Sequence, residues 1–258
     1  MPTTSGIASR LAGVRSRVDA AARAAGREPG EVRLLLATKT QDAATVLRAV
    51  AAAERIARES GDDRPVLVGE NRVQELVAKA PDLAPLVAAG RVEVHMIGHL
   101  QRNKVNQVLA TAGALETVDS LELARALSTR CERDGRELAV MVQANVSGET
   151  TKAGVAPQEA VALAHEVAAL PGLRLTGFMT IGARSDDAEV VRAGFARLRA
   201  VRDDVVASGE PGTRGARELS MGMTGDLELA VAEGATVVRV GTGVFGARPA
   251  CRARRWPR

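Results

Sequence analysis

The amino-acid sequence predicts an α/β protein, a single domain of residues 1–258 folded as a TIM-type (β/α)8 barrel with an extra N-terminal helix. Eight short apolar segments follow one another along the chain, and a helical stretch follows seven of them. Apolar strands joined by crossover helices are typical of parallel sheets covered on both faces. Eight such units in 258 residues favour a closed barrel; a doubly wound open sheet is the alternative. No Pro/Gly/Ser-rich linker divides the chain, so we expect a core of about residues 7–248 and a basic tail at 249–258.

The strand candidates are short runs rich in Val, Leu and Ile. They are Arg33–Thr38, Pro65–Gly69, Val92–Ile97, Leu115–Val118, Leu138–Val146, Leu173–Ile181, Glu218–Met221 and Val237–Val240. The helical stretches between them include Gln41–Glu59, Ser120–Arg133, Pro157–Leu170, Ala188–Ala207 and Thr224–Glu233. Ser120, Asp186 and Thr224 are the predicted N-caps, because such side chains accept hydrogen bonds from the free N–H groups that begin a helix. Arg58–Arg64 and Gly209–Gly215 are predicted surface loops.

The N-terminal segment predicts an amphipathic helix that ends near Gly26 and packs on the core. Its apolar stripe consists of Ile7, Leu11, Val14, Val18 and Ala25. A transit peptide is the alternative, since the segment is rich in Arg, Ala and Ser and has no acid before Asp19. No helix is predicted after the eighth strand, within Thr242–Arg258, so we expect the N-terminal helix to cover the barrel there.

Composition excludes several classes of protein. Hydrophobic residues make up 46% and charged residues 26% of the chain, which is globular composition, and no run reaches the about 18 uncharged apolar residues of a membrane span. The net charge of +4 comes from residues 248–258, which hold five Arg and no acid, while the remainder holds 30 basic and 31 acidic residues. Three Phe, one Trp and no Tyr offer few platforms for stacking nucleic-acid bases. We therefore expect neither a nucleic-acid nor a membrane partner.

Metal and disulfide chemistry are not expected either. Cys131 and Cys251 are the only cysteines, too few for a disulfide scaffold or a metal framework at this length. Two free thiols in a reducing cytoplasm are the predicted state. His95 and His99 are four residues apart but straddle a strand end and Gly98, so core or rim histidines are favoured over metal ligands.

In a barrel, functional residues gather at the carboxyl ends of the strands. Lys39 follows the first strand, in the sequence LLLATKT. An apolar surrounding favours the neutral amine, which is a nucleophile that forms a Schiff base with an aldehyde. The alternative is a solvated lysine at the barrel rim.

Small and hydroxyl-bearing residues follow strands seven and eight, where barrels commonly bind phosphate. They are Ser220, Gly222, Gly241, Thr242 and Gly243, and Thr224 opens the next helix. Hydroxyls and exposed backbone N–H groups can bind the oxygens of a phosphate. The alternative is that these glycines only make tight turns.

Closure of the barrel brings these two candidate sites together. Strand eight pairs with strand one at about 4.8 Å, so Lys39 and Gly241 are predicted neighbours. A lysine beside a phosphate site suits pyridoxal 5′-phosphate or a phosphorylated sugar. Arg239 lies on the same side of its strand as Gly241 and could contact a pyridine nitrogen, or else form an ion pair inside the barrel.

Four motifs resemble the pyridoxal phosphate homeostasis protein family. They are GENRVQE at Gly69–Glu75, HMIGHLQRNK at His95–Lys104, TKAG at Thr151–Gly154, and LSMGMTGDLELAVAEGATVVRVGTGVFGAR at Leu219–Arg248. The resemblance covers about Ile7 to Arg248. It implies the fold of the N-terminal barrel of bacterial alanine racemase without that enzyme's second domain. It also implies pyridoxal phosphate as cofactor and a role in vitamin B6 balance rather than known catalysis.

The resemblance also implies roles for individual residues. Lys39 matches the Schiff-base lysine, Asn71 a residue near the cofactor hydroxyl, and Arg239 the partner of the pyridine nitrogen. The phosphate binders are matched by Ser220, Gly241 and Thr242, and a secondary lysine by Lys152. Arg72 stands where the family usually has Tyr, and the loop Arg58–Arg64 is longer than usual.

The function expected from the sequence is a cytoplasmic, monomeric pyridoxal phosphate-binding protein for vitamin B6 homeostasis, with apoenzymes that need this cofactor as further partners. An arginine keeps the pyridine nitrogen unprotonated, which weakens the ring as an electron sink. A racemase needs a second base, often a tyrosine, and the chain has no Tyr. A pyridoxal phosphate enzyme such as an amino-acid racemase, and a Schiff-base aldolase acting on a phosphorylated sugar, are the alternatives.

Overall fold

A computed structural model describes residues 4–246, and within them eight parallel strands form a closed barrel. Each strand pairs with the next along the chain, and the last pairs with the first. The predicted TIM-type barrel is therefore confirmed, and the open-sheet alternative is wrong. The strands are β1 Arg33–Ala37, β2 Val66–Glu70, β3 Val92–Met96, β4 Ala114–Val118, β5 Leu138–Gln143, β6 Leu173–Met179, β7 Glu218–Ser220 and β8 Val237–Val240.

All of the predicted strands are present, and two of them end two or more residues earlier than predicted. β5 ends at Gln143 because Ala144 pairs with Val155 in the following loop. β6 ends at Met179, and the side chain of Thr180 turns to donate to the Ala144 carbonyl at 2.7 Å. These early ends leave the carboxyl mouth lined by loops.

Helices cover the outside of the barrel. They are α1 Thr4–Ala24, α2 Ala43–Glu59, α3 Val73–Ala88, α4 Val105–Leu109, α5 Leu121–Arg133, α6 Pro157–Ala168, α7 Ala188–Ala207, α8 Leu227–Ala232 and α9 Thr242–Phe245. Since α2 continues to Glu59, the predicted loop at 58–64 begins only at Ser60.

One of the three predicted N-caps is confirmed. The Ser120 hydroxyl accepts from Leu123 N at 3.3 Å. Asp186 is wrong by one position, because Asp187 accepts from Glu189 N at 2.9 Å. Thr224 is also wrong, because α8 begins only after Asp226 and the Thr224 hydroxyl contacts Gly243 instead.

The N-terminal helix packs beside strand eight, as predicted. Ile7, Leu11, Val14 and Val18 are at most 4% exposed, and α1 lies against α2, α8 and α9. Its stripe ends with Ala22 rather than Ala25 because the helix stops at Ala24. The prediction of no helix after strand eight is wrong, since the short α9 follows β8 and its Val244 carbonyl accepts from Arg10 Nε at 2.8 Å.

The core has two apolar parts. A large cluster lies between the barrel and its helices, and a small one of Leu35, Ala37, Leu67, Ile97 and Val237 fills part of the interior. Because strand side chains alternate between the two faces, the residues between these inward positions face the helices. The rest of the interior is filled by charged and polar side chains.

Neither a membrane-spanning helix nor a cluster of potential metal ligands is found among the residues that the structure describes. Across residues 4–246, no helix is long and apolar enough to cross a membrane. Over the same range, no group of three or more His, Cys, Asp or Glu side chains is placed to hold a metal ion. Cys131 is a buried free cysteine, and burial raises the pKa of its thiol. Cys251 and the basic tail at 249–258 lie outside the described residues.

Candidate functional site

The carboxyl mouth brings Lys39 and Gly241 together. The β1–β8 register aligns Leu36 with Val240, and a Cβ built on Gly241 would lie 3.1 Å from the Ala37 carbonyl oxygen. Lys39 is half-buried and follows β1 by two residues. The predicted pairing of strand eight with strand one is confirmed, and it places the end of the strand that precedes Lys39 next to Gly241.

Helix α3 holds the backbone on both sides of Lys39. Lys79 Nζ donates to the Thr38 carbonyl at 2.9 Å, and Glu75 Oε2 accepts from Thr40 N at 2.7 Å. Thr40 has a φ of 66°, the left-handed conformation that side-chain-bearing residues rarely adopt. The turn that carries Lys39 is therefore fixed by side chains from a neighbouring helix.

Lys79 itself belongs to a buried ion pair that the sequence analysis missed. Its Nζ lies 2.6 Å from Glu70 Oε1, and the two side chains are 6% and 0% exposed. Thr38 Oγ1 also donates to Glu70. Burial raises the pKa of Glu70, while the bonds from Lys79 and Thr38 oppose that rise. The available signal was the spacing of Glu75 and Lys79, four residues apart on one helix face.

Asn71 and Arg72 follow the neighbouring strand. Ala37 pairs with Gly69, so Lys39 and Asn71 each lie two residues beyond a paired position. The backbone of Asn71 packs closely on Gly98, and a Cβ added to Gly98 would overlap the carbonyl oxygen of Asn71. Arg72 projects outward, with its side chain 76% exposed and 4.0 Å from Glu75.

Two hydroxyls and a backbone amide converge after strands seven and eight. Thr242 Oγ1 lies 3.3 Å from Thr224 Oγ1, which accepts from Gly243 N at 3.2 Å. A Cβ on Gly243 would approach Val240 Cγ1 to 2.9 Å and Thr224 Cγ2 to 3.0 Å, so only glycine fits this corner. The sequence predicts Thr242 as a phosphate binder but Thr224 only as a helix cap.

Ser220 makes different contacts from Thr242. Its hydroxyl is fully buried; it donates to Glu116 Oε2 at 2.6 Å and accepts from Arg239 Nη1 at 2.8 Å. Arg239 Nη2 donates to the Thr180 carbonyl at 2.7 Å. Because Thr180 and Ser220 lie at the carboxyl ends of β6 and β7, the Arg239 guanidinium lies at the mouth of the barrel.

The polar contacts continue into the interior. Glu116 Oε1 lies 2.7 Å from His95 Nδ1, and His95 Nε2 lies 3.2 Å from Glu93 Oε1. Burial lowers the pKa of His95, but the Glu116 and Glu93 carboxylates outweigh burial and raise it to about 9. Burial raises the pKa of Glu116, and His95 and Arg239 bring it below its usual value. The His95 imidazolium and the Glu116 carboxylate are therefore both charged at neutral pH.

Lys152 lies in the loop after β5. Its Nζ contacts Glu149 Oε1 at 2.6 Å and the Gly182 carbonyl at 2.9 Å. In a barrel with this strand order, β5 lies opposite β1. The loop that carries Lys152 is thus on the far side of the mouth from the strand that precedes Lys39.

Comparisons with known proteins agree over most of the chain. A family profile, the N-terminal domain of alanine racemase, matches residues 49–249. The pyridoxal phosphate homeostasis protein of Pseudomonas aeruginosa is 41% identical over 242 residues, covering 94% of this chain and 96% of that protein. The protein of the same name from Escherichia coli K12 is 38% identical over 244 residues, covering 94% and 97%.

A solved structure supports the same family. PipY of Synechococcus elongatus, solved with pyridoxal phosphate bound, is 32% identical with a TM-score of 0.74, covering 93% of this chain and all of that one. The sequence matches and the barrel therefore agree on one family. This chain belongs to the alanine racemase N-terminal domain family and, within it, to the pyridoxal phosphate homeostasis proteins.

Proposed function

We propose that this chain is a cytoplasmic, monomeric protein that binds pyridoxal 5′-phosphate, holds it as a Schiff base on Lys39 and serves the homeostasis of this cofactor. The observation that carries the proposal is the pairing of β1 with β8, whose carboxyl ends lead directly into Lys39 on one strand and into Gly241 and Thr242 on the other. An amine beside a phosphate-binding corner matches a ligand with both an aldehyde and a phosphate. The name and the bound ligand of the relatives agree with this assignment.

The side chains at the mouth fit the parts of this cofactor. Lys39 would hold the aldehyde carbon as a Schiff base through its Nζ, with the carbonyl oxygen released as water. Gly241, Thr242 and Thr224 would bind the phosphate. Gly243 would hold the Thr224 hydroxyl through its amide, and its lack of a side chain keeps this corner open. Arg239 would face the ring nitrogen, and Asn71 the ring hydroxyl.

The geometry changes the role that we assign to Ser220. Its one proton goes to Glu116, and its oxygen accepts from Arg239, so this hydroxyl has no proton left for a phosphate oxygen. Thr224 Oγ1 lies in the corner with Thr242 and Gly243. We therefore assign the phosphate-binding hydroxyls to Thr224 and Thr242, and to Ser220 the task of orienting Arg239.

The same arginine favours storage over catalysis. When bound, pyridoxal phosphate supplies an aldehyde for Schiff bases and a pyridine ring that accepts electrons best with its nitrogen protonated. Burial lowers the pKa of Arg239, and the Glu116 and Asp226 carboxylates offset part of that fall. A guanidinium stays protonated in proteins and donates only hydrogen bonds. The chain also has no Tyr to act as a second base.

Borohydride trapping tests the covalent step. The purified protein is incubated with pyridoxal phosphate, reduced and digested, and the modified peptide is identified by mass spectrometry. We expect the pyridoxyl group on Lys39, and no trapping in Lys39→Met. Lys152→Met is the matched control, since it removes a half-buried lysine from the opposite side of the mouth. Labelling of another lysine with Lys39 untouched would contradict the assignment.

Turnover measurements test the storage role. Holoprotein incubated with a panel of amino acids in heavy water should exchange no α-protons faster than free pyridoxal phosphate does. Rapid exchange by the wild-type protein would show an enzyme instead, and Lys152 would be the first candidate for its second base.

A further inference from the structure

A chain of hydrogen bonds crosses the barrel interior beneath the proposed cofactor site. It runs from Arg239 on β8 to Ser220 on β7, then to Glu116 on β4 and His95 on β3, with each donor–acceptor distance between 2.6 and 2.8 Å. Strands β4 and β7 do not pair with each other, so the Ser220–Glu116 bond spans the interior. The four side chains are at most 5% exposed.

Glu116 is the centre of this chain. It is fully buried, and it uses one carboxylate oxygen for His95 and the other for Ser220. A buried carboxylate with both oxygens bonded has a fixed orientation, because rotation would break two charge-assisted hydrogen bonds. The Ser220 hydroxyl is thereby held with its proton toward Glu116 and its lone pairs toward Arg239.

Arg239 depends on that orientation. In the described part of the chain its guanidinium donates to two neutral acceptors, Ser220 Oγ and the Thr180 carbonyl. The charges that offset its own are the carboxylates of Glu116, which is one hydroxyl away, and of Asp226. A planar guanidinium held at two points leaves its remaining N–H groups in a defined direction.

The end of this series of hydrogen bonds that lies farthest from the mouth is fixed as well. His95 lines a cavity of about 220 Å³ at the opposite end of the barrel from the mouth, together with Arg33, Glu93, Arg174 and Glu218. Its imidazolium bonds Glu116 on one side and lies beside Glu93 on the other. His95 is therefore the anchor that keeps the Glu116 carboxylate in place.

We propose that Glu116, anchored by His95, is a positioning residue that acts through Ser220 to aim the Arg239 guanidinium at the ring nitrogen of the cofactor. This inference rests on the proposed function. It makes Glu116 a determinant of ligand choice: the mouth selects aldehydes whose ring carries an unprotonated, hydrogen-bond-accepting nitrogen.

A ligand that lacks this nitrogen tests the inference. Dissociation constants are measured by absorbance titration for pyridoxal phosphate and for 1-deazapyridoxal phosphate, in which a C–H group replaces the ring nitrogen. Hydrogen bonds to charged groups are worth enough that wild-type protein should prefer the natural ligand by about ten- to a hundredfold. Glu116→Gln keeps the shape of the side chain and should lose most of that preference, by weakening the natural ligand and leaving the analogue within about threefold.

Two further variants distinguish a loss of Arg239 positioning from a general loss of folding or of ligand binding. Glu218→Gln removes another half-buried interior carboxylate, one outside the hydrogen-bonded chain, and should keep the wild-type preference. Ser220→Ala breaks the same series of hydrogen bonds by removing a single oxygen atom, and it should also lose the preference for pyridoxal phosphate over the analogue. This second variant provides the test if Glu116→Gln does not fold. Equal weakening of both ligands in Glu116→Gln or Ser220→Ala would overturn the inference. Failure of the wild-type protein to bind pyridoxal phosphate would instead overturn the proposed function.

Discussion

Two buried ionic clusters lie on opposite sides of the barrel wall. The inner cluster is Arg239, Ser220, Glu116 and His95, inside the barrel. The outer cluster is Lys79, Glu70 and Thr38, between the strands and helix α3. Alternation along β2 explains the division, since Gly69 packs on the interior residues Leu35 and Ile97 and its neighbour Glu70 faces the helix.

The clusters differ in what they hold. The inner one ends on a side chain, the Arg239 guanidinium at the mouth. The outer one ends on backbone, the Thr38 carbonyl that precedes Lys39. Buried ion pairs gain little net stability over apolar residues because desolvation offsets their attraction. Both clusters are therefore better explained by the positions that they fix than by the stability that they add.

The largest effect is expected from breaking the outer cluster. Lys79→Met leaves the Glu70 carboxylate buried without its charge partner, and such a change costs about 3–5 kcal/mol. Urea unfolding should show this loss in the free energy of unfolding. Arg55→Met is the control, because its ion pair with Glu59 is exposed and 4.0 Å long and is worth less than about 1 kcal/mol. A loss below about 1 kcal/mol for Lys79→Met would show that water reaches Glu70 and that the cluster is not closed.

The inner cluster should make the free energy of unfolding depend on pH, through the titration of His95. The pKa of His95 is about 9 in the folded protein and about 6.5 when unfolded, so the folded state favours its protonated form. That stabilisation is complete below pH 6.5, falls as the pH rises and is lost above about 9; by linkage it amounts to about 3 kcal/mol. Urea unfolding at pH 6, 8 and 10 should show the fall in wild-type protein and a flatter profile in His95→Gln. Parallel profiles would contradict the assignment.

A comparison of two ligands separates the inner cluster from the phosphate corner. Thr224→Val removes one hydroxyl with little change of shape and should weaken pyridoxal phosphate by about 1.5–3 kcal/mol of binding free energy, with little effect on pyridoxal. Ser220→Ala should weaken both ligands alike, because both carry the ring nitrogen. Titrations of the two variants with both ligands check this. A phosphate-specific loss in Ser220→Ala would restore the sequence-based assignment of Ser220.

The smallest effect concerns the turn that the outer cluster holds. Thr40 has a φ of 66°, a conformation that costs a residue with a side chain about 1 kcal/mol or more. Thr40→Gly should relieve this strain and raise the free energy of unfolding by up to about 1 kcal/mol. Thr40→Ala keeps the Cβ and should show no gain. If the turn aims Lys39, the glycine variant should also form its borohydride-trappable adduct more slowly than wild type.

Much of the fold follows from local pattern. Apolar β-branched runs separated by helical stretches predicted every strand of the barrel, because strands covered on both faces are rich in apolar residues. The nearness of Lys39 to Gly241 followed from closure of the ring. The short helix α9 and the caps at Asp187 and Asp226 were not predicted, because such ends depend on a few local hydrogen bonds that several nearby polar residues could make.

The sequence by itself determined the barrel, its family, the strand that carries Arg239 and the strands that precede Lys39 and Thr242. Only the tertiary structure decided which hydroxyl meets which partner. Ser220 and Thr224 are four residues apart and chemically alike, yet one faces Glu116 across the barrel and the other faces Gly243 at its rim. Glu116 and Lys79 likewise showed their roles only in three dimensions. The physical reason is that these contacts join strands and helices far apart in sequence, and their partners are set by barrel closure and strand register rather than by any local pattern.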